Sequence, residues 1–161
     1  MLVRFIKIEE ISTEKAQFYT VRLGASELTE FELFDQKSFP LHKKEHRLIY
    51  TVISEMQQRG VKSYYFKQEA SAHAIPVVTS AIMHANKIDF GLRLYCKHLS
   101  NDIVILLNGD IKTHLDPLKC RLVKDHFSRA LKIGSKLDKA LKNNDLDLQE
   151  SAPFNDFELD I

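Results

Sequence analysis

A predicted antiparallel hairpin over about residues 90–113 constrains the fold of this chain more than any other segment. Aliphatic and aromatic residues fill its first strand, Ser100-Asn101-Asp102 forms a polar turn, and the apolar run 103–107 returns. A continuous apolar run of strand length indicates a central strand that is covered on both faces. Asn108-Gly109 in the returning strand predicts a β-bulge.

Patterns on either side of the hairpin predict the other elements. Strands are expected at 2–8, 18–23 and 61–68, and helices at 41–59 and from Asp116, as N-cap, to about Lys142. The last helix has lysines and Arg129 on one face, and its apolar stripe comprises Leu118, Leu122, Phe127, Leu131, Leu137 and Leu141. Residues 28–39 are ambiguous, although Thr29 followed by Glu32 matches a helix capping box. Between the third strand and the hairpin, residues 76–79 suggest a strand or a loop, and 80–86 could form one helical turn.

Together these elements predict an α+β fold with a twisted antiparallel sheet of about five strands, packed by two or three helices. The length of 161 residues and the apolar fraction of 44% suit one domain, which we place at residues 1–144. Residues 145–161 form an acidic tail. Its aromatic and aliphatic residues could let it dock as an edge strand.

Composition points to a cytoplasmic protein without a membrane segment. No apolar run approaches the ~18 residues that a membrane span needs. The N-terminal residues alternate as in a strand and lack the order of a signal peptide. Cys96 and Cys120 lie on different predicted elements without metal-type spacing, so we expect both to be buried free thiols in a reducing compartment.

Several motifs that would identify an enzyme class are absent from the sequence. It contains no match to the motifs of a phosphate-binding loop, a dinucleotide-binding site, a nucleophile elbow or a zinc-protease helix. His42 and His46 are the only histidine pair at i, i+4, and no carboxylate or cysteine completes a plausible ligand set. We therefore expect neither a metal nor a cofactor.

Charge is distributed unevenly along the chain. Residues 87–136 hold ten Lys and Arg against five Asp, whereas residues 145–161 hold six acids and neither Lys nor Arg. A basic body is compatible with an anionic ligand. Solvated helices that simply carry many lysines would give the same asymmetry, and composition does not separate the two.

A set of cationic and titratable residues is concentrated on the hairpin. The set is Arg93, Lys97, His98, Lys112 and His114. If Arg93 lies opposite the Lys112 end of the returning strand, two cations and a histidine converge in a hollow open to solvent. Arginine offers a bidentate fork, lysine a point charge and histidine a group that titrates near neutrality, which together suit phosphate. Alternation along strands, which sends polar residues outward, is the simpler explanation.

The hairpin resembles the core of RelE/HigB-type toxins of the RelE/ParE superfamily. The resemblance is carried by Leu92-Arg93-Leu94-Tyr95-Cys96, by the apolar run 103–107 with Asn108-Gly109, and by Ile111-Lys112-Thr113. The chain is also similar to uncharacterised bacterial proteins with this LRLYC…IVIL-NG-IKT pattern. Like them, it has a "FY-VR…LTEF" start, here Phe18-Tyr19-Thr20-Val21-Arg22 and Leu28-Thr29-Glu30-Phe31.

The resemblance implies a metal-independent mRNA endoribonuclease, acting with or without the ribosome, in a toxin–antitoxin or defence system. Arg93 and Lys112 then correspond to the catalytic cations that contact phosphate, and the position of His114 suits an acid or base. Further contacts to RNA are expected from Lys62, Lys67, Lys97 and His98. The implied partners are RNA or the ribosome, and a cognate antitoxin or another protein.

Some positions depart from the toxin pattern. Thr113 follows Lys112 where toxins often carry a second basic residue, the chain is longer at both ends, and no late Tyr or His matches. A non-catalytic protein on the same fold, phage or defence associated and binding a protein or nucleic acid, is therefore the alternative hypothesis.

Overall fold

The computed structural model describes residues 1–77 and 90–161 and shows one mixed seven-stranded sheet with three α-helices among them. The strands are β1 (Leu2–Lys7), β2 (Gln17–Leu23), β3 (Lys67–Glu69), β4 (Ala72–Pro76), β5 (Gly91–His98), β6 (Ile103–Lys112) and β7 (Glu158–Asp160). The helices are α1 (Glu30–Leu41), α2 (Lys43–Arg59) and α3 (Lys124–Lys142). Across the sheet the order is β3-β4-β5-β6-β2-β1-β7.

The α+β class is confirmed, but an all-antiparallel sheet of about five strands is wrong. β2 and β6 run parallel, from Gln17 opposite Ile103 to Tyr19 opposite Ile105. The short strands β3 and β7 extend the sheet at its two edges. A parallel pairing needs a long crossover, and this one includes α1, α2 and the β3–β5 meander, so no local pattern revealed it.

The hairpin is confirmed as β5 paired antiparallel with β6. Leu94 lies opposite Gly109 and Cys96 opposite Leu106, so Leu107 and Asn108 together face Tyr95. Two residues against one is a β-bulge, beside the predicted Asn108-Gly109. β6 is also the central strand that its apolar run predicts, with buried residues on both faces.

Most of the elements that flank the hairpin also match their predictions. β1 and β2 form the expected antiparallel pair, and α1 begins at the capping box, where Thr29 Oγ1 accepts from the Glu32 N–H. α2 ends at Gly60, whose φ of 91° is left-handed backbone that favours glycine. The strand predicted at 61–68 is wrong: a 3₁₀ turn, Ser63–Tyr65, lets Tyr65 and Phe66 both be buried before the short β3 begins.

The predicted start of the last helix is also wrong. Asp116 caps only a 3₁₀ turn, Pro117–Lys119, and α3 begins at Lys124. Cys120 lies between the two, and its Sγ contacts the Thr113 N–H and Oγ1 and the carbonyl oxygen of Ile111. These contacts of the buried thiol hold the segment against the end of β6, so α3 begins only after Cys120. Cys96 is buried as well, as predicted.

Two apolar layers cover the sheet. α1 and α2 pack on one face over residues that include Phe18, Leu94 and Leu106. α3 packs on the other face, over residues that include Tyr95 and Ile105. β5 therefore sends Leu92, Leu94 and Cys96 toward α1 and α2, and it sends Arg93, Tyr95 and Lys97 toward α3.

Part of the prediction for residues 76–86 lies outside the described residues. Pro76 ends β4, whereas Val78, Thr79 and the helical turn at 80–86 fall in the part that is not described. Among the described helices, none is both long and apolar enough to cross a bilayer.

Candidate functional site

Arg93 and Lys112 converge, as the phosphate hypothesis requires. Lys112 pairs with Gly91, which lies two residues before Arg93 on β5. The side chains of Arg93 and Lys112 both approach the same oxygen of Glu69 on β3. Arg93 Nη1 lies 3.1 Å from Glu69 Oε1 and Lys112 Nζ lies 3.9 Å from it. The side chains of Arg93, Lys112 and Glu69 are only 0%, 1% and 12% exposed.

The burial of this cluster contradicts the expected solvent-open hollow. Removing two cations from water is costly, and a carboxylate placed between them offsets part of that cost. Arg93, Lys112 and Glu69 therefore form an internal ion cluster on the face that α3 covers. The catalytic roles of Arg93 and Lys112 stay predictions, and they would require the cluster to open to a ligand.

Lys97 is buried on the same face and forms an ion pair with Asp138, which is half exposed. Its Nζ lies 2.7 Å from Asp138 Oδ1 on α3 and donates to the carbonyl oxygen of Ser71, also at 2.7 Å. Lys97 is 5% exposed, so its ammonium joins α3 to the β3–β4 turn rather than facing solvent.

His98 turns to the opposite face of β5 and stacks on Phe66, with ring centroids 4.8 Å apart. Its backbone N–H donates to Nδ1 of His73 at 3.3 Å. Burial lowers the pKa of both imidazoles, that of His73 to about 4 with a further contribution from Lys97. Both rings are therefore neutral near pH 7, which does not favour phosphate binding by His98.

The remaining predicted residues lie nearer the surface. His114 is exposed just after β6, and its Nδ1 accepts from the Asp116 N–H at 3.0 Å. Lys62 is exposed before the 3₁₀ turn, and Lys67 is half-buried at the start of β3, opposite Ala74. Contact with RNA by Lys62, Lys67 and His114 stays a prediction.

A polar cluster that the sequence reading missed joins α1, β6 and α3. Lys37 Nζ donates to the Gly109 carbonyl at 2.8 Å and lies 3.1 Å from Asp110 Oδ2 and 3.3 Å from His126 Nε2. Burial, then the charges of Lys37 and Arg129, lower the pKa of His126 to about 4. With these three acceptors around it, the Lys37 ammonium holds the helices to β6. No sequence spacing could reveal this cluster, because its members come from three distant elements.

The exposed cations are concentrated elsewhere, on α3 and the segment before it. This basic face comprises Lys119, Arg121, Lys124, Lys132, Lys136, Lys139 and Lys142. Each of the seven is exposed, and none forms a salt bridge within residues 1–77 and 90–161. Lys132, Lys136 and Lys139 follow helical i, i+4, i+7 spacing and so share one side of α3. The sequence did indicate this face as the basic side of the last helix.

Exposed leucines adjoin the basic face at its N-terminal end. Leu115, Leu118 and Leu122 are 63%, 50% and 49% exposed. The sequence pattern placed Leu118 and Leu122 on the buried stripe of one long helix. They are exposed because the chain forms a separate 3₁₀ turn there and α3 starts later. Apolar and cationic side chains thus alternate over this surface.

The described residues contain no group of three or more His, Cys, Asp and Glu side chains placed to hold a metal ion. Comparison with protein-family models, with curated proteins and with solved structures finds no match to this chain, so its function has to be inferred from its residues and their geometry.

Proposed function

We propose that this chain is a non-catalytic RNA-binding protein that holds the phosphate backbone on the basic face. The observation that carries the proposal is the seven exposed lysines and arginines of residues 119–142, which are without salt bridges in the described chain. By contrast, the hairpin cations Arg93, Lys97 and Lys112 are buried against carboxylates. Of these two sets of cations, the basic face is therefore the one open to a polyanion.

The form of this surface favours a single strand over a duplex. Lysine ammonium groups on flexible stems neutralise phosphates without reading sequence. Unpaired bases also present apolar faces, and Leu115, Leu118 and Leu122 beside the cations offer an apolar surface to cover them. Binding of this kind is weakly sequence-dependent and strongly salt-dependent.

The test is binding of a fluorescent single-stranded RNA of mixed sequence, followed by anisotropy over a range of salt concentrations. Lys132→Ala/Lys136→Ala removes two cations from the basic face, so the slope of log K against log salt should fall by about 1.4. Lys43→Ala/Lys44→Ala removes two exposed lysines from α2, on the other side of the sheet, and should leave the slope unchanged. Absence of binding at low salt, or equal slopes for the two double variants, would overturn the proposal.

A RelE/HigB-like ribonuclease is a second candidate, because Arg93 and Lys112 do converge on one face of the hairpin. It predicts RNA cleavage, with or without ribosomes, that is lost in Arg93→Ala/Lys112→Ala. Since that variant also disrupts a buried cluster, His114→Ala is the informative companion: this residue is exposed, and its removal should lower cleavage without lowering the thermal midpoint. Intact RNA with wild-type protein under all these conditions would exclude this candidate.

A further inference from the structure

A cleft of about 350 Å³ opens between α1 and the β1–β2 hairpin, on the face of the sheet opposite the basic face. α1 and α2 leave β1 partly uncovered, so Ile6 and Ile8 line the cleft together with Phe31 and Tyr50. Arg22 from β2 and Asp35 from α1 supply polar groups. Its volume lies in the range of small-ligand sites, and its lining combines apolar side chains with charged and polar ones.

Two of the three acidic groups that line the cleft, Asp35 and Glu32, are already hydrogen-bonded within the protein. Asp35 Oδ1 lies 2.7 Å from His46 Nε2, and Asp35 Oδ2 accepts from the Tyr50 hydroxyl at 2.6 Å. Glu32 is held in the capping box, where its Oε2 accepts from the Thr29 N–H at 2.7 Å. These carboxylates therefore shape the cleft and have little capacity left to accept hydrogen bonds from a ligand.

Arg22 differs from them, because it keeps an unused donor. Its Nε is buried and has no hydrogen-bond partner, and its guanidinium forms no salt bridge within the described residues. A buried donor left without an acceptor costs free energy, because it has lost its hydrogen bonds to water. A ligand that supplies an acceptor here would remove that cost, so the cleft selects for an acceptor group.

We infer that this cleft binds a carboxylate with an apolar side chain, its acid group on Arg22 and its apolar part against Ile6, Ile8 and Phe31. A single negative charge fits better than a phosphate dianion, because the lining includes the acids Glu10, Glu32 and Asp35 against the cations Lys7 and Arg22. Arginine also matches the planar carboxylate with two parallel hydrogen bonds. Two sources offer this chemistry: a small organic acid and the C-terminus of a peptide.

The test uses N-acetyl-leucine as the probe and N-acetyl-leucinamide, which lacks the charge, as its control. Titration of ¹⁵N-labelled full-length protein should shift the Arg22 Nε–Hε resonance with the acid and not with the amide. This measurement needs no variant, so it is independent of any folding defect. No saturable shift with the acid up to about 10 mM, or equal shifts with the acid and the amide, would overturn the inference.

Variants then test the role of the guanidinium. Arg22→Gln should weaken binding of N-acetyl-leucine by about tenfold or more, whereas Arg47→Gln, an exposed arginine on α2 outside the cleft, should not. Equal affinities for these two variants would contradict the inference. A short peptide ending in leucine separates the sources: clearly tighter binding than the acid indicates a peptide terminus, and equal binding indicates a small acid.

Discussion

Gly134 of α3 lies against the backbone of Ser71, the residue that leads from the β3–β4 turn into β4. A Cβ built on Gly134 would lie 2.2 Å from the Ser71 carbonyl oxygen and 2.8 Å from its carbonyl carbon. Ser71 is fixed from two sides, since its Oγ donates to the Leu131 carbonyl at 2.9 Å and its own carbonyl accepts from Lys97. Helix and turn therefore touch through their main chains, and only glycine fits.

Gly134→Ala should destabilise the protein by about 1–3 kcal/mol, because α3 must move away from Ser71 to admit the methyl group. The sign of this change in the free energy of unfolding is informative, because alanine in an open helix position is more favourable than glycine by about 1 kcal/mol. Urea unfolding measures the change. Ser135→Ala, at the exposed neighbouring position, is the control and should leave the free energy of unfolding within about 0.5 kcal/mol.

Glu69→Gln should lower the free energy of unfolding by about 3 kcal/mol or more. The amide keeps the size of the side chain but leaves Arg93 and Lys112, 0% and 1% exposed, without the carboxylate they share. Equilibrium denaturation compares it with the wild type.

The control for Glu69 is Glu158→Gln, at a salt bridge of similar length in solvent. Arg4 Nε lies 2.9 Å from Glu158 Oε1, but both side chains are about half exposed, at 52% and 47%. We expect this substitution to cost no more than about 1 kcal/mol. If the two glutamines cost the same, burial would not set the strength of the Glu69 cluster.

The hairpin could be predicted from sequence because every feature that specifies it is local. Its apolar run, its polar turn and the bulge beside Asn108 all lie in one continuous segment. The capping box of α1 could be predicted for the same reason, since Thr29 and Glu32 are three residues apart.

The surroundings of the predicted site could not be read in the same way. Arg93 and Lys112 do lie on one face, as the hypothesis of a shared hollow required, but the sequence pattern said nothing about what covers that face. Glu69 comes from a strand that joins the sheet only through β4, so no local spacing linked it to the hairpin. Helical periodicity likewise predicted that Leu118 and Leu122 are buried, and both are exposed. The spacing of apolar residues does not show that Cys120 contacts the end of β6 and that α3 begins only after it.

Phe154→Ala should destabilise the protein by about 2–4 kcal/mol, because the tail is attached to the sheet through this ring. Phe154 is 5% exposed, and its centroid lies 4.8 Å from that of Phe5 and 4.7 Å from that of Tyr19. Phe39→Ala, where the ring is 53% exposed, should cost less than about 1 kcal/mol. The measurement is the thermal unfolding midpoint of each variant. Equal midpoints would mean that the tail does not contribute to the stability of the fold.

Acidification should weaken the fold before the carboxylates begin to titrate. Burial, with the nearby cations, lowers the pKa of His73 and of His126 from 6.5 to about 4, so both imidazoles stay neutral in the folded protein. In the unfolded chain they take up protons below about pH 6.5, so the unfolded state binds more protons and the free energy of unfolding falls as the pH is lowered. Between about pH 6.5 and pH 5 the loss should be on the order of 1–2 kcal/mol per histidine. Urea unfolding across this range should give a shallower pH dependence for His126→Gln than for the wild type, and parallel curves would show that His126 is not the buried neutral group inferred from its contact with Lys37.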